Sequence, residues 1–82
     1  MPRYFLNIVS PDGCISDENG SEHPDDQRAR DEAIASIRGM ISEDVKMSGR
    51  IDLRGRIEIT DEQRVIREVV SFASTIVLFS SE

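Results

Sequence analysis

The sequence predicts an α+β fold, with the order β-β-α-β-β forming an antiparallel four-stranded sheet and one amphipathic helix packed on one face. Three observations predict it: period-two alternation over residues 3–9, a 3.6-period apolar stripe between Asp25 and Met47, and strict alternation again from Arg56 to Thr60. At 82 residues the chain reads as a single domain, 1–82, because chains this short do not divide into two separately cored units. Its parts are a strand hairpin at 3–17, a helix at about 25–47, a second hairpin at 56–72 and a tail at 73–82.

In the first strand Tyr4, Leu6 and Ile8 fall on one face and Phe5, Asn7 and Val9 on the other. Both faces are largely apolar. Ser10-Pro11-Asp12-Gly13 carries turn chemistry, Pro presetting φ and Gly accepting φ above zero, so Cys14-Ile15-Ser16 is expected to return as a short second strand. Asp17-Glu18-Asn19-Gly20-Ser21 closes it as a polar turn cluster.

Across the next stretch Ala29, Ala33, Ile34, Ile37, Met40, Ile41 and Val45 fall within an arc of about 160°, the mark of a helix with one buried side. Pro24 is tolerated only at a helix start, and Asp25 and Asp26 suit the positive end of the dipole and can cap free amides. Gly49 supplies the stop, with Lys46 in the last turn. Arg56 to Thr60 then alternates, Asp61-Glu62-Gln63-Arg64 turns, and Val65 to Phe72 is β-branched enough to pair back. The tail from Ala73 to Phe79 reads either as a helical turn or as a buried strand, and a helical turn is the expectation.

Composition bounds the function. With 38% hydrophobic residues, 32% charged residues and a net charge of −6, the chain reads as a soluble domain poorly suited to broad binding of phosphate backbones. The longest apolar run, Ile76-Val77-Leu78-Phe79, is far short of the ~20 residues needed to span a bilayer. Asn7 and Pro11-Asp12-Gly13 break up the N-terminal apolar stretch, so it does not read as a signal peptide. Cys14 has no partner for an intramolecular disulfide, and a reducing cytoplasm is the expected location. The acidity is local: residues 1–49 hold 5 basic and 10 acidic side chains, centred on Asp17 to Glu32.

Chemistry-bearing residues are sparse. His23 is the single histidine, so a base–nucleophile pair would join it to Cys14, Ser10, Ser16 or Ser21; the plainer reading makes Cys14 a strand residue and His23 a loop residue. One histidine and one cysteine cannot complete a tetrahedral zinc site within a subunit. Asp17-x-Asn19-x-Ser21 has the opening rhythm of a calcium loop, but Glu22 stands where glycine is needed and Arg28 where the bidentate glutamate is needed. No Gly-rich phosphate loop is present, and the short chain leaves little room for a cleft of ~300 Å³. No catalytic, cofactor-binding or metal-binding residue is therefore assigned.

What remains is surface. Arg50, Arg54 and Arg56 form the basic cluster, and alternation puts Arg54 and Arg56 opposite Ile57 and Ile59. The sheet face away from the helix would carry Phe5, Val9 and one register of Val65/Val69 or Ile66/Val70, too apolar for water. The candidate interaction residues are Phe5, Val9, Arg54, Arg56, Val65 and Val69. A homodimer through that face or a sheet edge is expected, with Ile76 to Phe79 as the competing cover.

Taken together, MPRYFLNIV, the acidic run from Asp17 through Gly20 and Glu22 to Pro24-Asp25, the Ala29-Arg30-x-Glu32-Ala33 helix start and Arg56-Ile57-Glu58-Ile59-Thr60-Asp61 carry a resemblance. The chain resembles a family of small bacterial proteins of unknown function, common in alphaproteobacteria, whose members open with Pro-Arg-Tyr-Phe and a strand. The resemblance covers roughly residues 1–73 and implies a bacterial stand-alone domain. It carries over no site. A looser likeness, through Tyr4 to Val9, Gly13 to Asp17 and Glu32-Ala33, is to HicB-type antitoxin domains, although no antitoxin-like DNA-binding extension is read here. The expected function is a non-catalytic protein-interaction domain. The alternatives are a HicB-like antitoxin whose segment Asp17 to Glu32 imitates a phosphate backbone before a small nuclease toxin, and, third, an enzyme using Cys14 and His23.

Overall fold

A computed structural model describes residues 1–80. Strand β1 (Arg3–Ser10) turns at Pro11-Asp12 into β2 (Gly13–Ile15), and a loop leads to β3 (Ser21–Glu22) and helix α1 (Asp26–Ser48). Strands β4 (Arg56–Thr60) and β5 (Ile66–Ser71) follow, and a 3₁₀ turn (Phe72–Thr75) begins the tail. All neighbours pair antiparallel in the order β2-β1-β4-β5, with β3 on the beginning of β1. The fold is α+β with one helix, as the patterning predicts, but the sheet has five strands rather than four. The added strand is β3, whose Ser21 and Glu22 stand opposite Tyr4 and Arg3. Two polar residues carry no period, so only the unpaired stretch of β1 reveals them as a strand.

The buried side of the sheet consists of Tyr4 on β1, Ile57 and Ile59 on β4 and Val70 on β5. Against them α1 lays the stripe Ala29, Ala33, Ile37 and Ile41, with Ile34 and Met40 on its borders. The helix runs over β4, β5 and the 3₁₀ turn. On the same face but farther along the order, Leu6 and Ile8 are partly buried and Ile15 stays 67% exposed. Asp25 caps the helix with extended backbone, its side chain accepting the Arg28 amide at 2.9 Å. Gly49 ends it at φ 72, its amide donating to the Val45 carbonyl.

Strand β5 corrects the expected hairpin. It covers Ile66–Ser71, so Val65 belongs to the turn and Phe72 to the 3₁₀ turn. Glu68 pairs with Ile59 and Ile66 with Thr60, which leaves Arg67 as an extra residue, a β-bulge. The bulge breaks strict alternation, so the open face carries Ile66 and Val69 together while Val70 is buried. Neither single register expected from the sequence describes this strand. The tail forms the expected turn, yet it does not cover the open face: the Arg38 Nε donates to the Thr75 carbonyl at 2.7 Å and binds the tail to the helix. The last two residues of the expected tail, 81–82, lie outside the described residues.

Candidate functional site

Tertiary pairing of β1 brings a set of polar side chains together at one of its edges. One edge of β1 meets β2 at Ile8 to Ser10 and β3 at Arg3 and Tyr4, and the loop between them leaves the sheet. Asp17 bridges that gap. Its carboxylate accepts the Leu6 amide at 3.1 Å and the Gly20 amide at 3.0 Å, and its own amide donates to the Asn7 side-chain oxygen. A side chain thereby replaces the missing strand pairing, as a buried amide requires.

Contrary to the expectation that so short a chain has little room for a cleft, Phe5, Asn7 and Thr60 line an open groove of about 670 Å³ on the open face, at the end of the sheet nearest this loop. Ser16, Asp17 and Glu18 stand along one wall and Asp61, Glu62 and Arg64 along the other. Asp61 is engaged in shaping its own turn, accepting the Gln63 and Val65 amides at 2.9 and 3.0 Å. Arg64 holds φ 65, a left-handed backbone uncommon outside glycine. The lining combines one aromatic ring with Asn7, Ser16 and Thr60, four carboxylates and one guanidinium. The lining residues include no histidine, cysteine or lysine.

Two further polar clusters fasten the first turns of the helix, one to β3 and the other to β1 and β5. Ser21 Oγ, His23 Nε2 and Glu32 Oε2 lie 2.9–3.0 Å from one another, so one of the four partners the sequence offers for His23, Ser21, does meet it. The carboxylate and the hydroxyl share the same ring nitrogen, however, whereas a catalytic relay places them on opposite nitrogens. Cys14 is elsewhere. It stands opposite Val9 while His23 follows β3 beside Tyr4, a separation along β1 of roughly 17 Å. Nearby, the Tyr4 hydroxyl donates to Asp26 at 2.7 Å and Arg67 Nε donates to the other carboxylate oxygen at 3.3 Å. The tyrosine hydrogen bond first, then Arg67, lowers the Asp26 carboxyl below the ordinary aspartate value, and Asp26 in turn raises the Tyr4 hydroxyl.

That lowering has a sign. The stabilisation from charged Asp26 is complete above the ordinary aspartate pKa of 3.8 and is lost as pH falls through the depressed folded value. Replacing Tyr4 by phenylalanine is expected to move the Asp26 titration back up toward the ordinary range, read by carboxyl-detected NMR. An unchanged titration would instead assign the shift to Arg67.

The candidate interaction residues divide. Phe5, Val9, Arg56 and Val69 share the open face, in cross-strand rows with Thr60, Glu58 and Ser71. Polar neighbours dilute it, since Arg56 pairs with Glu58 at 3.0 Å and Asn7 donates to Thr60 at 3.3 Å. Arg54 departs from the expected placement: it precedes β4, in a loop, and is held by Asp52 at 2.8 Å. That pairing draws the Asp52 carboxyl down to about 2. Val65 is 52% exposed in the turn before β5. The acidic run is engaged by its own chain, Glu22 with Arg3, Asp26 with Tyr4 and Arg67, and Glu32 with Ser21 and His23. Sequence reasoning misses the Leu6–Asp17, Ser21–Glu32 and Tyr4–Asp26 contacts, whose partners lie 11 to 22 positions apart with no local pattern.

Among the described residues, no group of three or more His, Cys, Asp or Glu side chains is placed to hold a metal, and no helix is long and apolar enough to cross a membrane. A family profile described as a domain of unknown function, DUF6894, matches residues 3–73, from the first residue of β1 into the 3₁₀ turn. The chain belongs to the DUF6894 family. Among the described residues the DUF6894 region contains every strand and the helix, and the tail from Ser74 onward lies outside it. No curated protein and no solved structure matches the chain.

Proposed function

We propose that this domain is a non-catalytic protein-interaction module of the cytoplasm whose first partner is a second copy of itself. The observation that carries the reading is the apolar surface left in water. Ile15 is 67% exposed, Ile66 52%, Val69 49% and Phe79 93%, in a chain with a small core. The tail, the competing intramolecular cover, is fastened to the helix by Arg38 and leaves the open face bare. Sedimentation equilibrium of the full chain over about 5–500 μM tests the reading. A mass approaching twice the 9.2 kDa chain at the upper end is expected, and a single-chain mass throughout would overturn it.

A further inference from the structure

We propose that the tail segment Ile76–Phe79 of one copy adds as an extra strand to the free edge of β2 in a second copy, each copy giving and receiving one tail. The inference rests on the self-association reading and names its surface. The segment is prepared for pairing: Ile76 starts it in extended conformation, at φ −135 and ψ 161, and no helix or turn follows through Ser80. Only Ile76 packs on the core, while Val77, Leu78 and Phe79 are 75%, 65% and 93% exposed. Three adjacent apolar residues at such exposure are left largely uncovered by the described residues of their own chain.

The edge of β2 fits them on both faces. In an added strand Ile76 and Leu78 would point one way and Val77 and Phe79 the other, so the receiving edge needs apolar neighbours on both sides. Beside β2 stand Ile15 and Ile8 on the helix side, and Cys14 and Val9 on the open side. Its length of three residues, Gly13–Ile15, equals the exposed run Val77–Phe79, and neither segment carries a charge. The other long edge is defended. Strand β5 presents Arg67 and Glu68, and Arg30 reaches round from the helix to Glu68 at 3.2 Å and to the Val69 carbonyl at 3.5 Å.

A tail cannot serve its own β2. Its root at Thr75 is held by Arg38 on the flank of the helix facing β5, and β2 is at the far end of the order β2-β1-β4-β5. Three strand spacings are about 14 Å, roughly four extended residues, so the whole apolar segment would be used up in crossing. Pairing therefore takes place between copies, and reciprocal exchange closes a two-fold dimer without open-ended growth.

The double variant Leu78→Asp/Phe79→Asp tests this, since both side chains project into solvent in the single chain and circular dichroism should stay unchanged. Sedimentation should show dimer affinity weakened by a factor of roughly ten or more, because two charges would enter an apolar edge. A second arm uses the native Cys14. Leu78→Cys should form an interchain disulfide on mild oxidation, and adding Cys14→Ser should abolish it. A dimer that survives the double variant, or a cross-link that survives Cys14→Ser, overturns the strand exchange while self-association stands. A wild-type chain that remains single at every concentration overturns both.

Discussion

Replacing Ile37 by alanine is expected to lower stability by roughly 3 kcal/mol, within the ~2–5 kcal/mol typical of isoleucine truncation in a well-packed site. Ile37 is 0% exposed and sits midway along the buried helix stripe, facing Ile57, Ile59 and Val70. A chain of this size has about 4–12 kcal/mol of total stability, so the loss is a large fraction of it. The melting temperature should fall by roughly 12–24 °C, measured by calorimetry or circular dichroism. Val45 provides the contrast. It continues the same stripe one turn beyond Ile41 but is 42% exposed, because the helix outruns the sheet there. Val45→Ala should cost less than about 1 kcal/mol. Equal losses at the two positions would mean that the packing described for Ile37 is incorrect.

Gly20→Ala is expected to be about as damaging as the core truncation, although the residue lies in a surface loop. A Cβ there would stand 2.8 Å from the Tyr4 carbonyl oxygen, 2.9 Å from a Phe5 ring carbon and 3.0 Å from Arg3 Cγ, and φ is already +69. Left-handed backbone alone costs a non-glycine residue about 1–2 kcal/mol. The carbonyl belongs to β1 and cannot move without disturbing its pairing with β3, so a further loss of similar size is expected. The loop would also pull Asp17 away from the Leu6 amide. Gly49→Ala separates the two contributions, since Gly49 has φ +72 and nothing within 4 Å of the added carbon. It should show the conformational cost alone. Thermal melts of both variants decide the matter, and equal losses would remove the steric part of the argument.

Family membership and fold class lie in the sequence. The alternation of Tyr4 to Val9 and Arg56 to Thr60, and the apolar stripe of the helix, place strands and helix because side-chain period follows backbone geometry directly. The helix ends are equally legible: Asp25 caps and Gly49 stops at a left-handed φ, both local requirements of unpaired amides and carbonyls. The combination of short motifs also pointed to the family whose profile spans residues 3–73.

Other features arise only when distant segments meet. Ser21-Glu22 is a strand because β1 leaves Arg3 and Tyr4 unpaired beside it, and Arg67 is a bulge because β4 sets the register from the far side. The meeting of Ser21 with His23 and Glu32, the separation of Cys14 from His23, and the departure of Arg54 from β4 follow from the same pairings. The destination of the tail is the clearest case. Ile76 to Phe79 reads as apolar in any context, but the sequence does not show that Ile76 packs on the core while Val77 to Phe79 stay exposed beside a root held to the helix by Arg38. Local sequence sets which conformations a segment prefers and which side is apolar, whereas the partner of each edge and face is fixed by long-range packing that no short window of residues contains.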